Sequence, residues 1–203
     1  MSPRPRVVLA TRNAHKVAEL RAILAAAGVD LDLVGVQAFP DAPDVAETGA
    51  TFAENALLKA RAVADATGLP TVADDSGLCV DALNGMPGVL SARWAGRHGD
   101  DLANMDLVLA QVGEVPDERR GAQFVCAAAL ALPGGQEWVV EGVLSGRLER
   151  APRGDGGFGY DPVLRPDGED RTTAEMTARE KNAISHRGRA FRELAPHLRA
   201  LPG

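Results

Sequence analysis

The stretch QFVCAAALALPGGQEWVVEGVL, residues 123–144, consists of two apolar runs on either side of the sequence PGGQ. Apolar runs of this length favour strands, and a break containing proline and glycine between two of them is typical of a β-hairpin. Residues 123–132 and 137–144 are therefore predicted to form an antiparallel pair. Because the rest of the chain alternates strands with helices, the hairpin predicts a mixed sheet rather than a purely parallel one.

Outside the hairpin, the hydrophobic periodicity alternates between strand and helix. Residues 7–10 form a short β-branched run, and apolar residues at helical spacing follow it as far as Gly28. A second helix is predicted to begin after a capping sequence at Thr51 and to end near Gly68, and a third is predicted over 101–112. This alternation is typical of an α/β fold.

Two further predictions concern segments that carry polar motifs. The strands predicted over 70–73 and 78–83 are separated by the turn-forming sequence DDSG at 74–77. The capping sequence at Thr177 predicts one long last helix. The sequence contains no repeat, long linker or low-complexity tract, so residues 1–203 are predicted to form a single α/β domain.

The composition excludes several classes of protein. The 203 residues are 45% hydrophobic and 25% charged, as in ordinary folded domains, so a disordered, collagen-like or coiled-coil chain is not expected. A net charge of −6 argues against binding a nucleic acid polymer through bulk electrostatics. A local basic pocket for a small anion is compatible with the same charge.

The apolar stretches also bear on location. The longest, 124–132, is far shorter than the roughly 20 residues of a membrane-spanning helix. No apolar signal-peptide core follows Met1, and Cys79 and Cys126 lie in separate apolar segments. We therefore expect a cytoplasmic protein with no membrane partner and with two reduced thiols, one disulfide being the less favoured alternative.

Lysine is rare in this chain. Of the 22 basic residues, 19 are arginines and three are lysines, namely Lys16, Lys59 and Lys181. A coding bias toward arginine is one explanation of this ratio. A specific need for lysine at these three positions is an equally good one, because the two side chains differ as hydrogen-bonding groups. The surroundings of the three lysines decide between these explanations.

An acidic sequence, Asp74-Asp75-Ser76-Gly77, follows a short apolar run. Asp, Ser and Gly are favoured in turns for local reasons, so a simple turn is one interpretation. Neighbouring residues at a strand end point to opposite sides, so one carboxylate could instead face a cleft as a magnesium ligand or general base. Glu47 is a candidate second ligand, because Mg²⁺ needs only one or two protein carboxylates when water and substrate phosphate complete its shell.

The loop between the first strand and the first helix reads Thr11-Arg12-Asn13-Ala14-His15-Lys16. Most polar loops at this position only cap a helix, which here would place Asn13 near the cap. N–H groups at a helix N-terminus, beside hydroxyl, amide and ammonium groups, can also form a phosphate pocket. Lys59 follows Asn55 by one helical turn, and it is either a solvated surface residue or part of the same pocket.

The sequence GDGGFG at 154–159 satisfies the dinucleotide pattern G-x-G-x-x-G, but Tyr160-Asp161-Pro162 follows it where a helix is required. We interpret it as a pliable loop, either a simple glycine turn or a close approach to a flat ligand that stacks on an aromatic ring.

On the predicted last helix, Lys181 and Ser185 lie one turn apart, as do Asn182 and His186. Such side chains are most often solvated, so they indicate a site only together with other motifs. The sequence lacks Walker-type, zinc-protease, dithiol and serine-hydrolase motifs.

Five motifs occur in order along the chain: TRN at 11–13 with Lys16, ETGATFAENA at 47–56, ADDSGL at 73–78, GFGYDP at 157–162 and SHR at 185–187. In this combination the chain resembles the inosine/xanthosine triphosphate pyrophosphatase family, also called the Ham1-like family. The resemblance spans almost the whole chain, and five ordered motifs are far more specific than any one of them.

The resemblance implies a homodimer of two-lobed α/β subunits, each a single domain with a long mixed sheet flanked by helices and an active cleft between the lobes. It implies hydrolysis of noncanonical purine nucleoside triphosphates (ITP, dITP and XTP) to the monophosphate and pyrophosphate, with Mg²⁺ as cofactor. Water would attack the α-phosphorus, and the reaction would cleanse the nucleotide pool.

The resemblance also implies roles for particular residues. Asp75 would be the catalytic proton acceptor and, with Glu47, a metal ligand, while Asp74 would be a supporting carboxylate. The implied substrate-binding residues are Thr11, Arg12, Asn13, Ala14, His15, Lys16, Lys59, Ser76, Phe158, Gly159, Tyr160, Asp161, Lys181, His186 and Arg187. All three lysines fall in this implied site.

Two other interpretations stay open at this point. A Maf-like nucleotide pyrophosphatase has a similar fold and phosphate loop, but the motifs at 157–162 and 185–187 argue against it. A non-catalytic nucleotide-binding regulator would keep phosphate and base contacts without needing Asp75 or a metal. The intact acidic set favours the enzyme.

Overall fold

A computed structural model gives the structure of residues 4–202, and for Ala14 it gives the backbone alone. The strands are β1 (Arg6–Leu9), β2 (Asp32–Gly35), β3 (Thr71–Val80), β4 (Gly121–Ala131), β5 (Glu137–Leu148) and β6 (Leu164–Pro166). The α-helices are α1 (Ala14–Ala26), α2 (Phe52–Thr67), α3 (Asp101–Gln111), α4 (Ala178–Ile184) and α5 (His186–Arg199). Several loops contain short 3-10 helices, including Gly88–Arg93.

The strands form a mixed sheet in the order β2-β1-β3-β4-β5-β6. β1 is parallel to both β2 and β3, whereas β6 is antiparallel to β5. The β4–β5 hairpin is closed at its turn by Leu132, whose N–H donates to the carbonyl of Gln136 at 2.8 Å. The predicted α/β class and mixed sheet are therefore confirmed.

The helices begin where the capping sequences predicted. The Oδ1 atom of Asn13 accepts from the N–H groups of His15 and Lys16 at the start of α1. Thr51 accepts from the N–H of Glu54 at the start of α2, and α2 ends at Gly68 with a positive φ of 66°. Each cap satisfies backbone groups that the first or last turn of a helix leaves without partners.

The predicted break at 74–77 is wrong, because β3 runs through it as one strand of ten residues. Turn propensity reflects local hydrogen bonds, but Asp74 and Asp75 are bonded to side chains of other elements. A side chain at Gly77 would collide with Ser91 and with the carbonyl of Gly88, so glycine here permits close packing rather than a turn.

The predicted single last helix is also wrong. Thr177 does begin a helix with a full capping box, but α4 ends at Ile184 and Ser185 has an extended backbone, with φ −62° and ψ 152°. A new helix, α5, begins at His186. Lys181 and His186 therefore belong to different helices, and the one-turn pairing of Asn182 with His186 does not apply.

The chain divides into two compact units, and β3, β4 and β5 each contribute residues to both. The first unit runs to Asp75 and also contains Cys126–Gly142 and the chain from Arg187 onwards. The second contains Ser76–Val125 and Val143–His186. The prediction of an active cleft between two lobes stays a prediction.

Each unit has its own hydrophobic core. In the first, buried side chains of α1 and α5, such as Leu20 and Phe191, pack with residues of β1 and β4. In the second, Met105 and Val108 of α3 pack with residues of β3, β4 and β5. Within residues 4–202, no helix is long and apolar enough to cross a membrane.

Candidate active site

Two neighbouring carboxylates in the middle of β3 organise the first unit's polar site. Asp75 is 5% exposed, and its Oδ2 atom accepts from the side-chain amide of Asn55 at 3.0 Å. The Lys59 ammonium lies 2.5 Å from Glu47 Oε1 and 3.8 Å from Asp75 Oδ1. Asn55 and Lys59 are one turn apart on α2, so this helix presents an amide and a cation to the same carboxylate.

Asp74 is held by a different set of partners. Its Oδ2 atom lies 2.9 Å from Lys16 Nζ and 3.3 Å from Arg187 Nε. Arg187 also donates from Nη1 to Glu19 Oε2 at 2.5 Å. Because successive residues of a strand face opposite sides, Asp74 and Asp75 engage different neighbours. We call Glu19, Glu47, Asp74, Asp75, Lys16, Lys59 and Arg187 the acidic cluster.

Burial and charge shift these groups in opposite directions. Burial alone would raise the pKa of Asp74, but Lys16 and Arg187 outweigh it and hold the pKa well below its usual range. Burial raises the pKa of Asp75, only partly opposed by Lys59, and the charge of Glu47 raises it further. Two adjacent carboxylates therefore differ in character: Asp74 stays ionised, and Asp75 holds a proton more readily.

The positive groups are shifted by the same interactions. Burial works to lower the pKa of Lys59, but the carboxylates of Asp75, Asp74 and Glu47 outweigh it, and the pKa is raised. The pKa of Arg187 is raised in the same way, chiefly by Asp74 against the effect of burial. Both side chains are therefore cationic at neutral pH.

The loop before α1 has the predicted local structure. Asn13 caps the helix, and Thr11 Oγ1 accepts from the N–H of Asn13 at 3.2 Å. Lys16 reaches into the acidic cluster, whereas Arg12 and His15 are exposed. The side chain of Ala14 lies outside the described residues. The role of this loop as a phosphate site stays a prediction.

The donor set of the acidic cluster fits a magnesium ion bound partly through water. Among the described residues, no three His, Cys, Asp or Glu side chains are placed to hold a metal together. Glu47 and Asp75, however, both approach one cation, the ammonium of Lys59. Two carboxylate ligands suit Mg²⁺, which keeps several waters, better than they suit a metal that needs a cage of protein ligands.

A second polar cluster lies in the second unit, around Asp161. Asp161 is 3% exposed, and its Oδ2 atom accepts from Lys181 Nζ at 2.7 Å and from the N–H of Phe158 at 2.9 Å. Its Oδ1 atom accepts from the Thr173 hydroxyl at 2.8 Å. The Lys181 ammonium lies 5.2 Å from the centre of the Phe158 ring, within range of a cation–π contact.

The loop that carries Phe158 is fixed at two further points. The N–H of Gly159 donates to Asp101 Oδ2 at 2.9 Å. The Tyr160 hydroxyl donates to the carbonyl of Ser91 at 2.9 Å, and burial raises the pKa of this tyrosine. We call Phe158, Gly159, Tyr160, Asp161, Lys181, Thr173 and Asp101 the aromatic-loop cluster.

His186 and Ser76 complete the predicted set. His186 is 6% exposed, and its ring lies against Phe124 with centroids 4.9 Å apart. Ser76 follows Asp75 on β3 and is partly exposed. The structure thus groups most of the predicted residues into two clusters, and their roles as substrate ligands stay predictions.

Four residues that belong to these clusters or contact them were not predicted as site residues from the sequence: Glu19, Asn55, Asp101 and Thr173. Asn55 belongs to the ETGATFAENA motif and lies one turn before Lys59, which is a usable signal. Glu19 and Thr173 reach partners distant in sequence, with Glu19 and Arg187 separated by 168 positions. No local pattern indicates such pairs.

Comparison with known proteins agrees with this architecture. The model of the Ham1 family matches residues 7–197, and the chain therefore belongs to the Ham1 family. A curated relative from Streptomyces coelicolor, named dITP/XTP pyrophosphatase, is 70% identical and is matched over 98% of this chain and 99% of its own. A relative of the same name from Nocardia farcinica is 62% identical, over 97% of this chain and 96% of its own.

Solved structures give the same result. A nucleoside-triphosphatase (dITP/XTP pyrophosphatase) from Mycobacterium abscessus is 56% identical, with a TM-score of 0.77 over 96% of this chain and 100% of its own. A HAM1 protein from Coxiella burnetii is 42% identical, with a TM-score of 0.86 over 96% of this chain and 98% of its own. The predicted family is confirmed.

Proposed function

We propose that this chain is a nucleoside triphosphate pyrophosphatase that hydrolyses ITP, dITP and XTP to the monophosphate and pyrophosphate. The observation that carries the proposal is the asymmetry of the two carboxylates on β3. Asp74 is ionised and forms ion pairs with Lys16 and Arg187. Asp75 has a raised pKa and lies beside a different set of groups, those of Glu47, Lys59 and Asn55. The relatives named dITP/XTP pyrophosphatase support the choice of substrate.

In this proposal Asp75 accepts the proton of the attacking water. A general base needs a defined orientation and a pKa nearer to neutral than that of an exposed carboxylate. The hydrogen bond from Asn55 to Oδ2 orients the carboxylate of Asp75, and burial raises its pKa. As the water loses its proton to Asp75, its oxygen forms a bond to the α-phosphorus. The bond from that phosphorus to the oxygen bridging the α- and β-phosphates breaks, which gives the monophosphate and pyrophosphate.

The lysines neutralise the charge that grows on the leaving pyrophosphate. The side chains of Lys16 and Lys59 are each 15% exposed, so each ammonium is partly shielded from water. Shielding from water strengthens the attraction between an ammonium and a phosphate. Magnesium held by Glu47 and Asp75 would add Lewis-acid stabilisation of the phosphate oxygens.

The aromatic-loop cluster is proposed to receive the purine base. Phe158 offers a flat surface for stacking, and the Lys181 ammonium offers a donor to the 6-oxo group of hypoxanthine or xanthine. Adenine carries an amino group there and would leave such a donor without a partner, which disfavours it.

The family resemblance also supports a homodimer in the cytoplasm, formed of subunits that each act as one bilobed domain on a small-molecule substrate. These points are part of the proposal. The dimer is testable by sedimentation, with a monomer at assay concentrations counting against it.

The proposal is tested by incubating the purified protein with ITP, dITP, XTP, ATP and GTP, with and without Mg²⁺. We expect magnesium-dependent formation of pyrophosphate and the monophosphate from the first three, with ATP and GTP largely spared. Orthophosphate without pyrophosphate would mean attack at the terminal phosphate. Binding of ITP without turnover would favour the regulator interpretation.

A further inference from the structure

Asp161 is a hub rather than an exposed contact group. It is 3% exposed, and both of its oxygen atoms are engaged by groups of the second unit. One oxygen, Oδ2, accepts from the Lys181 ammonium, which is proposed to meet the base, and from the backbone N–H of Phe158, whose ring is proposed to stack on the base. The direction in which Asp161 points therefore sets the position of both.

Thr173 controls that direction. Its hydroxyl lies 2.8 Å from Asp161 Oδ1 and 3.0 Å from the carbonyl of the same residue. A carboxylate bonded only through Oδ2 can rotate about its terminal torsion, which is broad. The hydroxyl holds the other oxygen, so the plane of the carboxylate is fixed. Thr173 is 1% exposed, so it makes this contact inside the protein rather than at its surface.

Asp101 holds the same loop at Gly159, the residue after Phe158. It lies in the first turn of α3, and its Oδ2 atom accepts from the N–H of Gly159 at 2.9 Å. Gly159 has a φ of 60°, a left-handed conformation that a residue without a side chain adopts easily. Such a loop is permissive by itself, so an anchor at the Gly159 N–H removes freedom that glycine would otherwise retain.

We infer that Thr173 and Asp101 are positioning residues for purine selection: Thr173 orients Asp161, Asp101 anchors Gly159, and together they hold Lys181 and the Phe158 ring in one arrangement. Neither residue belongs to the five sequence motifs. The inference rests on the proposed function and adds to it that selectivity depends on residues which do not touch the base. Loss of either anchor should loosen recognition of the 6-oxo group while leaving the acidic cluster unchanged.

The first test compares Thr173→Val with Thr173→Ser. Valine keeps the volume and removes the hydroxyl, whereas serine keeps the hydroxyl. We expect Thr173→Val to raise the KM for ITP and to lower the preference for ITP over ATP, measured as the ratio of kcat/KM, by roughly tenfold. Thr173→Ser should restore most of the preference.

A matched control separates this effect from general loss of stability. Thr71 is fully buried and its hydroxyl donates to the carbonyl of Leu69 in the first unit. Thr71→Val therefore removes a buried hydroxyl whose hydrogen-bond partner, Leu69, is not a member of the aromatic-loop cluster. We expect it to lower the melting temperature about as much as Thr173→Val does, with the preference for ITP unchanged.

The second test uses Asp101, which is exposed and so should tolerate substitution. Asp101→Ala should reduce the preference for ITP over ATP several-fold. Asp101→Asn should retain more of this preference, because the amide oxygen still accepts a hydrogen bond. Asp106→Ala, at another exposed position of the same helix, is the control and should have no effect. Thr173→Val and Asp101→Ala variants that both keep the wild-type preference would overturn the inference. Wild-type protein that fails to hydrolyse ITP would instead overturn the proposed function.

Discussion

The acidic cluster and the aromatic-loop cluster are built on different principles. In the acidic cluster, four carboxylates and three cations are interleaved around two adjacent residues of β3. In the aromatic-loop cluster, the ion pair Asp161–Lys181 is completed by two neutral donors, a hydroxyl and a backbone N–H, and the carboxylate of Asp101 accepts from another backbone N–H. The acidic cluster sets the charge around Asp74 and Asp75, and the aromatic-loop cluster sets the orientation of Lys181 and Phe158.

The difference predicts different kinetic effects. Removal of a charge from the acidic cluster should reduce the rate of the chemical step, because charge stabilisation is needed most in the transition state. Removal of a hydrogen bond made by a neutral donor in the aromatic-loop cluster should change mainly the KM and the preference among purine bases. Kinetic and stability measurements on single variants distinguish the two effects.

Asp75→Asn should break the acidic cluster at its proposed base. Asparagine keeps the size of the side chain but cannot accept the proton from water, so we expect kcat for ITP to fall by about 10²–10⁴-fold with little change in KM. Steady-state kinetics with ITP measure this. Asp65→Asn, on the exposed face of α2, is the control and should behave as wild type. Wild-type kcat in Asp75→Asn would remove Asp75 from the mechanism.

Lys16→Ala should weaken handling of the triphosphate. The ammonium pairs with Asp74 and is proposed to meet phosphate oxygens, so we expect kcat/KM for ITP to fall by roughly tenfold or more. Lys16→Arg should lose less, because the charge is kept. Arg21→Ala removes an exposed cation from the same helix and is the control. An unchanged kcat/KM in Lys16→Ala would contradict the phosphate-loop assignment.

Glu19→Gln tests whether the acidic cluster also stabilises the fold. Arg187 is 2% exposed and is held by Glu19 and Asp74, so loss of one charged partner should lower the free energy of unfolding by about 1–3 kcal/mol. Urea unfolding measures the change. Glu193→Gln, at an exposed position of α5, should cost nothing measurable. Equal stability of the two variants would show that the charge of Glu19 does not help to hold Arg187.

Tyr160 provides the smallest test, in the aromatic-loop cluster. It is the single tyrosine of the chain, so the ultraviolet absorbance of tyrosinate reports this residue alone. Because burial raises its pKa above the ordinary value near 10, the folded protein holds the phenolic proton more tightly than the unfolded chain does. The resulting stabilisation is fully present below pH 10 and is lost as the pH rises toward the folded-state pKa.

Two measurements follow for this tyrosine. Tyrosinate should form in the folded protein only well above pH 10, and Tyr160→Phe should lower the free energy of unfolding by about 1 kcal/mol through loss of the bond to Ser91. Ordinary titration near pH 10, with circular dichroism still native, would contradict the hydroxyl's burial.

The sequence predicted those parts of the fold that depend on short-range interactions. Asn13, Thr51 and Thr177 cap helices through bonds to residues two or three positions away, and all three caps occur. Two predictions that relied on local propensity across a longer segment are wrong. β3 continues through Asp74 because its partners come from distant elements, and the last helix divides at Ser185 although its capping sequence is correct.

The candidate site shows the same limit. Motif residues such as Asp75 and Asp161 were predicted because their motifs match a family pattern. Thr173 and Asp101 were not, because each acts on a partner 12 or 58 positions away that no short pattern relates to it. Sequence motifs therefore identified the groups proposed to meet the substrate, whereas the structure identified the groups that hold them.

The placement of the lysines has a practical consequence for protein chemistry. The chain has three lysines, and their side chains are only 15%, 15% and 7% exposed in contact with carboxylates of the two clusters. Any reagent that acylates lysine side chains, whether a crosslinker, a fluorescent ester or an acetyl donor, must therefore neutralise a charge in one of these clusters. Labelling of this protein for biophysical work should therefore be directed to other side chains. Comparing the number of lysines acylated with the activity that remains would show how many of the three ammonium groups are needed for activity.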